Sequence, residues 1–434
     1  MTPDILITNA LLFREPGAGE EIERGFVAVR AGRIERLGPM TELGDRPAAT
    51  TIDAGGGLLM PGLVNTHCHA AMTLFRGLAD DQELAVWLND HIFPAEAAHV
   101  NPEMVYWCSK LAAAEMILAG TTLVADGYFF ADQAARAFSE TGLRAVAAQG
   151  VIDFPAPGVP EPAENIRAAA RFIDERQDRH PLITPAVFAH SPYTCSPETL
   201  QKAKALARSR NVPFFVHVAE TGQELGRIAG ARGDSPVRHL EALGILDEQT
   251  VCVHCVWVDE EDLDILARRN ARVSICPQSH LKLASGMAPL AAMLERSITV
   301  GLGTDGAASN NGLDLFREMD ICAKVQKIKT MDPVAVRAGD VLRLATRDGA
   351  AVLGFAERLG TLRAGSLADL VLVDLDRPHL QPFYGPDLLV YAAGGADVRS
   401  VIINGKLVMH NRRLLTIDLD ETMARVRDLA RSVG

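Results

Sequence analysis

Pro61-Gly62-Leu63-Val64-Asn65-Thr66-His67-Cys68-His69 is an apolar run that ends in two histidines, and it decides the fold. Side chains two positions apart in a strand point to the same face, so His67 and His69 project together if this run is a strand. Two adjacent imidazoles at a strand end are half of a metal site. Histidine also packs in protein cores, so the pair gains meaning only if other parts of the chain supply more ligands.

Apolar strands alternate with helical stretches along the middle of the chain. Eight near-continuous apolar strands with crossover helices predict an α/β fold, a (β/α)8 barrel whose active site lies at the C-terminal ends of the strands. The predicted strands are 63–67, 122–126, 144–151, 184–190, 214–220, 250–256, 272–276 and 299–305, and the clearest helical patterns are 102–119, 197–209, 260–269 and 287–295.

Both termini are rich in strand patterns. Near the start, apolar residues 5–13 precede a predicted hairpin about Gly32, and near the end Asn404-Gly405 separates two apolar runs, which is a strong hairpin signal. The sequence therefore predicts one small β-sandwich domain built from residues 1–59 and 363–434 around a barrel of residues 60–362. The last stretch, 419–433, has helical periodicity.

Composition narrows the class of protein. Of the 434 residues 48% are apolar and 23% charged, which is a globular composition, and the net charge of -12 argues against nucleic-acid or anionic-membrane partners. The start has no basic signal-peptide region and no window reaches the roughly 20 apolar residues of a membrane span, so we expect a cytoplasmic protein. Seven scattered cysteines indicate reduced thiols. Cys252 and Cys255 would face opposite sides of a strand, which favours packing over metal binding.

The predicted barrel strands end in a recurring set of side chains. Any one of them fits a hydrogen-bonded core histidine or a helix-capping aspartate. Their arrival together at the rim where barrel chemistry occurs indicates a metal-dependent active site. The set is His67, His69, His190, His217, His254 and Asp305.

With these motifs the chain resembles the amidohydrolase superfamily, and within it the 5′-methylthioadenosine/S-adenosylhomocysteine deaminases. The resemblance covers nearly the whole chain and implies one divalent metal ion, most often zinc. Binuclear relatives carry a carboxylated lysine at the end of strand four, where this chain has His190. The implied ligands are His67, His69, His217 and Asp305, and the motifs are 61–67, His217-Val-Ala-Glu220, His254-Cys255, Leu281-Lys-Leu-Ala-Ser-Gly286 and 303–311.

The resemblance also implies catalytic and substrate-binding roles. Asp305 and His254 would remove the proton of the attacking water, and Glu220 would protonate N1 of an adenine ring. From the residues alone, Glu220 also fits an acidic residue at a helix start. The implied substrate contacts are Glu96 with both ribose hydroxyls, an aromatic contact from Trp87 that fits helix packing equally well, and polar contacts from His190 and Ser309.

One departure from the family bears on the substrate. Relatives that take S-adenosylhomocysteine hold its carboxylate with arginines, where this chain has Gln149 and, less clearly aligned, Glu161. A glutamate repels a carboxylate. We therefore expect a zinc-dependent deaminase that prefers 5′-methylthioadenosine, with S-adenosylhomocysteine and adenosine as further candidates.

Other activities fit the same scaffold. The alternative is a deaminase or chlorohydrolase of another amino-heterocycle, namely guanine, a pterin or an s-triazine. A relative that has lost its metal is disfavoured, because all four ligands and Glu220 are present. The resemblance and the apolar helix 104–118 together predict a homo-oligomer, a dimer or a tetramer.

Overall fold

The computed structural model describes residues 2–15, 22–45, 47–228, 231 and 233–433. Five strands come first in the chain, before any long helix. Two of them, β2 and β3, form the predicted antiparallel hairpin about Gly32. The five are β1 Ile5–Leu12, β2 Glu23–Arg30, β3 Arg33–Pro39, β4 Thr50–Asp53 and β5 Leu58–Pro61.

Eight parallel strands follow and form the predicted barrel. Each pairs with the next along the chain, and the barrel is completed where the Asp305 amide donates to the His67 carbonyl at 3.0 Å. The strands are β6 Leu63–Cys68, β7 Thr121–Tyr128, β8 Arg144–Val151, β9 Ile183–Ala189, β10 Phe214–Val218, β11 Thr250–His254, β12 Arg272–Ile275 and β13 Val300–Leu302.

The last four strands return to the first sheet. They are β14 Leu370–Val373, β15 Val398–Ile403, β16 Lys406–His410 and β17 Arg413–Leu414. The nine strands form one mixed sheet in the order β17-β16-β15-β14-β5-β1-β2-β3, with β4 beside β1. The two ends of the chain meet at β5 and β14, where Pro61 pairs with Leu370. The predicted domain boundary at 59/60 falls within β5 and stays a prediction.

Helices surround the barrel and cover its rim. A π-helical turn at Trp87–Ile92 and six 3-10 turns at Met40–Glu42, Ala70–Phe75, Pro162–Glu164, Leu225–Arg227, Pro378–Leu380 and Gly395–Asp397 complete the described elements. The α-helices are α1 Leu84–Val86, α2 Phe93–His99, α3 Pro102–Leu118, α4 Ala131–Thr141, α5 Asn165–Arg176, α6 Pro197–Arg210, α7 Pro236–Ala242, α8 Glu260–Arg268, α9 Pro277–Lys282, α10 Leu290–Glu295, α11 Ala307–Asn310, α12 Leu315–Thr330, α13 Ala338–Leu344, α14 Arg347–Val352, α15 Asp387–Tyr391 and α16 Leu419–Ala430.

The barrel strands divide their apolar side chains between two cores. In β7, Leu123 and Ala125 point into the barrel interior, whereas Val124 between them packs against the surrounding helices. This alternation is what the two-residue period of a strand dictates, and it explains why both faces of each strand are apolar. The interior core includes Phe188 and Phe215, whose rings stack 6.2 Å apart below the C-terminal rim.

Two further expectations concern cysteines and membranes. All seven cysteines are free and buried, so Cys252 and Cys255 pack in the core as predicted. They do not face opposite sides of a strand: both belong to the same apolar core, because β11 ends at His254 and left-handed φ values of 80° at His254 and 47° at Cys255 turn the chain. Within the described part of the chain, no helix combines the length and the apolar character that crossing a bilayer requires.

Candidate active site

Three imidazoles converge at the C-terminal rim of the barrel. His67 and His69 come from the end of β6 and His217 from β10, and their ring nitrogens lie within 4.8 Å of one another. The Nε2 atoms of His67 and His217 are 3.4 Å apart. Asp305 Oδ1 lies 3.4 Å from His67 Nε2 and 3.6 Å from His69 Nε2. Tetrahedral ligands at about 2.0–2.1 Å from a zinc ion stand at similar separations, so the three imidazoles, with the Asp305 carboxylate beside two of them, are suited to hold such an ion.

Neighbouring groups fix the orientation of these donors. His69 donates through Nδ1 to the Gly127 carbonyl at 2.6 Å, which leaves its Nε2 lone pair free for a metal. Asp305 accepts a hydrogen bond from the Ser279 hydroxyl at 2.7 Å and one from the Gly306 amide at 2.8 Å. Two of the four donors, His69 and Asp305, are therefore oriented by hydrogen bonds to neighbouring groups.

Burial sets the charge state of the cluster. Loss of solvent and repulsion from neighbouring histidines lower the pKa of His217 well below its usual value, and burial lowers that of His67. Both imidazoles are thus neutral, the form that binds a metal. Burial alone would raise the pKa of Asp305, but the neighbouring histidines, His67 first, hold that pKa well below its usual value. One carboxylate and neutral imidazoles are a suitable donor set for zinc.

Glu220 and His254 lie beside the cluster. Glu220 Oε2 is 3.7 Å from His254 Nε2. Burial raises the pKa of Glu220 well above its usual range, and the nearby carboxylates of Asp305 and Glu224 raise it further. Burial therefore favours the protonated form of Glu220, the form that can donate a proton.

The backbone around these groups adopts unusual conformations. Ala219, His254 and Asp305 have φ values of 52°, 80° and 62°, a left-handed region that residues other than glycine rarely occupy. Glu224 accepts a hydrogen bond from the Glu220 amide at 2.9 Å and so supports one of these turns. Strained strand ends of this kind are typical of functional sites.

The predicted substrate contacts line one cleft with the cluster. The cleft contains about 800 Å³ of free space, part of it open to solvent. Glu96 is 6% exposed and accepts a hydrogen bond from the Tyr128 hydroxyl at 2.7 Å. Trp87 lines the cleft and donates to the Leu78 carbonyl at 3.4 Å, so its position agrees with helix packing, and its aromatic contact with a substrate stays a prediction. Of the ten predicted site residues, those lining the cleft are His69, Trp87, Glu96, His190, His217, Glu220, His254, Asp305 and Ser309, and His67 lies in the metal cluster.

Two of these residues also have internal partners. The Nδ1 atom of His190 lies 2.9 Å from the Thr194 hydroxyl, and burial lowers the pKa of this histidine to about 3. The Ser309 hydroxyl donates to the Gly306 carbonyl at 3.0 Å. His190 is thus held by the loop that follows β9, and Ser309 by the first turn of α11.

The residues that were expected to face an amino-acid tail lie elsewhere. Gln149 accepts a hydrogen bond from the Ala131 amide and does not line the cleft, and Glu161 is exposed before a 3-10 turn. Among the described residues that do line the cleft there is no arginine or lysine, and one stretch of its wall consists of Gly150, Val151 and Ile152.

Two residues that support the site, His280 and Tyr128, were not predicted from the sequence. His280 Nε2 lies 3.0 Å from His254 Nδ1, and Ser279 beside it binds Asp305, so the short helix α9 supports two site residues. These residues directly precede the motif that begins at Leu281. Tyr128 was missed because the predicted strand ended two residues too early.

Comparisons with known proteins agree with this geometry. Residues 58–408 match the model of the amidohydrolase family. The chain is 47% identical to the 5-methylthioadenosine/S-adenosylhomocysteine deaminase of Syntrophobacter fumaroxidans, with 99% of this chain and 98% of the relative covered. It is 43% identical to the 5′-deoxyadenosine deaminase of Methanosarcina mazei, with 98% of each covered. A crystal structure of an adenosine deaminase from Xanthomonas campestris with bound zinc superimposes with a TM-score of 0.95 at 37% identity, covering 100% of this chain and 99% of that one.

Proposed function

Because the chain belongs to the amidohydrolase family, in the group that includes 5-methylthioadenosine/S-adenosylhomocysteine deaminases, we propose that it is a zinc-dependent deaminase of 5′-modified adenosines. The products are the inosine analogue and ammonia. The observation that carries the proposal is that one cleft holds the three-histidine cluster, the buried Glu220 carboxyl, whose pKa burial raises, and the buried carboxyl of Glu96.

One zinc ion fits the cluster best. His67, His69 and His217 would hold it together with Asp305, and the position after β9 is His190 rather than the lysine that binuclear relatives use. A bound zinc ion lowers the pKa of a water molecule towards about 7 and so supplies a nucleophile at neutral pH. Metal analysis of the purified protein tests this, with one zinc per chain as the expected result.

The protein groups move the protons. Glu220 donates its proton to N1 of the adenine ring, which makes C6 more electrophilic. As the water oxygen bonds to C6, Asp305 accepts one of its protons, with His254 orienting the water. The bond from C6 to the amino nitrogen then breaks, and ammonia leaves with the proton from Asp305. Glu220 regains a proton from the new hydroxyl on C6 as the carbonyl of the product forms, so the enzyme returns to its starting state.

The other end of the nucleoside is bound by Glu96. A carboxylate accepts the two vicinal hydroxyls of a ribose, one on each oxygen, and this favours nucleosides over free bases. A guanine, pterin or triazine ring has no ribose and would leave the buried carboxyl of Glu96 without its ligand. No feature of the described cleft favours these rings.

The cleft also favours an uncharged 5′ group. No arginine or lysine among its described lining residues is available for the carboxylate of S-adenosylhomocysteine, and Gly150, Val151 and Ile152 offer apolar contacts instead. Moving a methylthio or methyl group from water to this wall costs little free energy, whereas burying a carboxylate there without a partner costs several kcal/mol. We therefore propose that 5′-methylthioadenosine and 5′-deoxyadenosine are preferred over S-adenosylhomocysteine.

The test is an ultraviolet assay of adenine conversion with parallel detection of ammonia. Zinc-loaded protein is expected to convert 5′-methylthioadenosine and 5′-deoxyadenosine faster than S-adenosylhomocysteine. Glu220→Gln should abolish turnover and keep zinc, whereas the control Glu198→Gln, whose side chain is 76% exposed, should match the wild type. Failure to convert any adenosine by a zinc-loaded wild type would refute the deaminase. A preference for S-adenosylhomocysteine would refute only the proposed order of substrates.

The oligomeric state stays a prediction. A dimer or tetramer is consistent with the large apolar side chains Ile328 and Met331, which are 67% and 83% exposed at the end of α12. Sedimentation velocity at micromolar concentration tests it, and a monomer would contradict it.

A further inference from the structure

The end of strand β7 contacts both the metal cluster and the residue proposed to bind ribose. Its last two residues are consecutive in the chain and have different partners. The Gly127 carbonyl accepts the hydrogen bond of His69 at 2.6 Å, and the Tyr128 hydroxyl donates to Glu96 Oε1 at 2.7 Å. The end of β7 therefore contacts both His69 and Glu96, which are proposed to act at opposite ends of a nucleoside.

The charge state and orientation of the Glu96 carboxyl depend on its hydrogen bond with Tyr128. Within the described chain, no other group donates a hydrogen bond to its carboxyl. The carboxyl is buried in helix α2, and burial raises its pKa to about 7, while the hydrogen bond from Tyr128 acts in the opposite direction. Tyr128 thus favours the carboxylate form and fixes the direction of its oxygens.

The geometry leaves room for a diol. A carboxylate offers about four acceptor positions, and Tyr128 uses one of them on Oε1. Tyr128 is itself 5% exposed and packs against Phe129 and His69, with ring centroids 5.2 and 6.3 Å apart. Its hydroxyl therefore cannot swing away from Glu96 without disturbing the wall of the cleft.

We propose that Tyr128 is a specificity-determining residue, which holds Glu96 at a fixed distance from the metal cluster and so makes the enzyme depend on a ribose cis-diol. The inference rests on the proposed deaminase function. It predicts that loss of the Tyr128 hydroxyl weakens recognition of the diol and leaves the chemistry at C6 intact.

The experiment compares two substrates that differ only in the diol, adenosine and 2′,3′-dideoxyadenosine. In Tyr128→Phe we expect kcat/KM for adenosine to fall about 10-fold, mainly through KM, and that for the dideoxynucleoside to change less than about twofold. The matched control is Tyr193→Phe, which removes a phenol oxygen from the same cleft without touching Glu96. Its effect should be equal on both substrates. Zinc content should stay at the wild-type value in both variants.

A second comparison separates specificity from simple packing. In a Glu96→Gln background, Tyr128→Phe should cause little further loss, because the two residues act as one unit. An equal fall for both substrates in Tyr128→Phe, or no fall for adenosine, would overturn the inference while the deaminase assignment stands. A zinc-loaded wild type that converts no adenosine, 5′-methylthioadenosine included, would overturn both.

Discussion

The buried ion pair between Arg144 and Asp369 joins the barrel to the terminal sheet, and its removal gives a sharp prediction about stability. Arg144 begins β8, and Asp369 directly precedes β14. The pair is bidentate, with Nε to Oδ2 at 2.8 Å and Nη2 to Oδ1 at 3.0 Å. The side chains are 3% and 1% exposed. Asp369 also accepts the Asn404 amide at 2.7 Å, and Arg144 donates to the Pro181 carbonyl at 3.0 Å.

The expected loss of unfolding free energy depends on whether a substitution leaves an unpaired charge in the core. Asp369→Asn removes the negative charge and leaves a buried guanidinium without compensation, which costs about 3–5 kcal/mol. The double variant Arg144→Met/Asp369→Leu removes both charges and should be much closer to the wild type, because a well-packed apolar pair often replaces a buried ion pair at little cost. The comparison therefore separates the value of the pair from the penalty of a lone charge.

Urea unfolding measures these differences. The three tryptophans, at positions 87, 107 and 257, report on the barrel segment, and far-ultraviolet circular dichroism reports on the whole chain. The matched control is Asp174→Asn in the surface pair with Arg210, whose side chains are 54% and 40% exposed and which should cost less than about 1 kcal/mol. An Asp369→Asn midpoint no lower than that of Asp174→Asn would refute the reasoning.

Three further predictions concern the supports of the site. His280→Phe removes the partner of His254 at 3.0 Å and should lower kcat about 10–100-fold with zinc content unchanged, as measured by steady-state kinetics and metal analysis. In Gly127→Ala the new methyl group would lie 2.5 Å from Phe188, so the carbonyl that holds His69 must move, and competition with a chelator should show weaker zinc binding. Burial lowers the pKa of His280 to about 4. Below about pH 6.5 this histidine therefore binds a proton in the unfolded chain but not in the folded chain. The free energy of unfolding consequently falls as the pH drops towards about 4. Between about pH 6.5 and 4 the urea midpoint of His280→Asn should therefore fall less than that of the wild type. A larger fall in the variant than in the wild type would mean that the His280 imidazole is charged in the folded protein.

The barrel could be predicted because its strands are apolar on both faces. The predicted strand at 144–151 has the observed limits, and the others lie within a few residues of theirs. Errors concentrate where the chain turns at the rim. The strand predicted to end at Glu220 ends at Val218, because Ala219 takes a left-handed φ of 52°. The helix predicted from Met287 begins at Leu290, because Pro289 disfavours helical backbone in the residue before it.

Some residues of the candidate site could also be predicted from the sequence, and others could not. Residues at strand ends, such as His217 and Asp305, could be found because the fold itself brings strand ends together. Tyr128 and His280 could not, because their importance lies in contacts with side chains that are 32 and 26 positions away in the chain. No periodicity encodes a contact of that kind. The groups proposed to act on the substrate are therefore recognisable in the sequence, and the groups that hold them in position are not.

The pairing of β5 with β14 has a consequence for biosynthesis. Pro61 and its partner Leu370 are 309 positions apart (370 − 61), and the whole barrel is translated between them. At a translation rate of about 5–20 residues per second, β14 leaves the ribosome about 15–60 s after β5, and until then this edge of β5 has no partner strand. During that time the nascent chain carries an open sheet edge, to which the β5 strand of a neighbouring nascent chain on the same polysome can add. Truncations that remove β14 would make this exposure permanent, so such fragments should accumulate with chaperones or aggregate even though their barrel segment is complete.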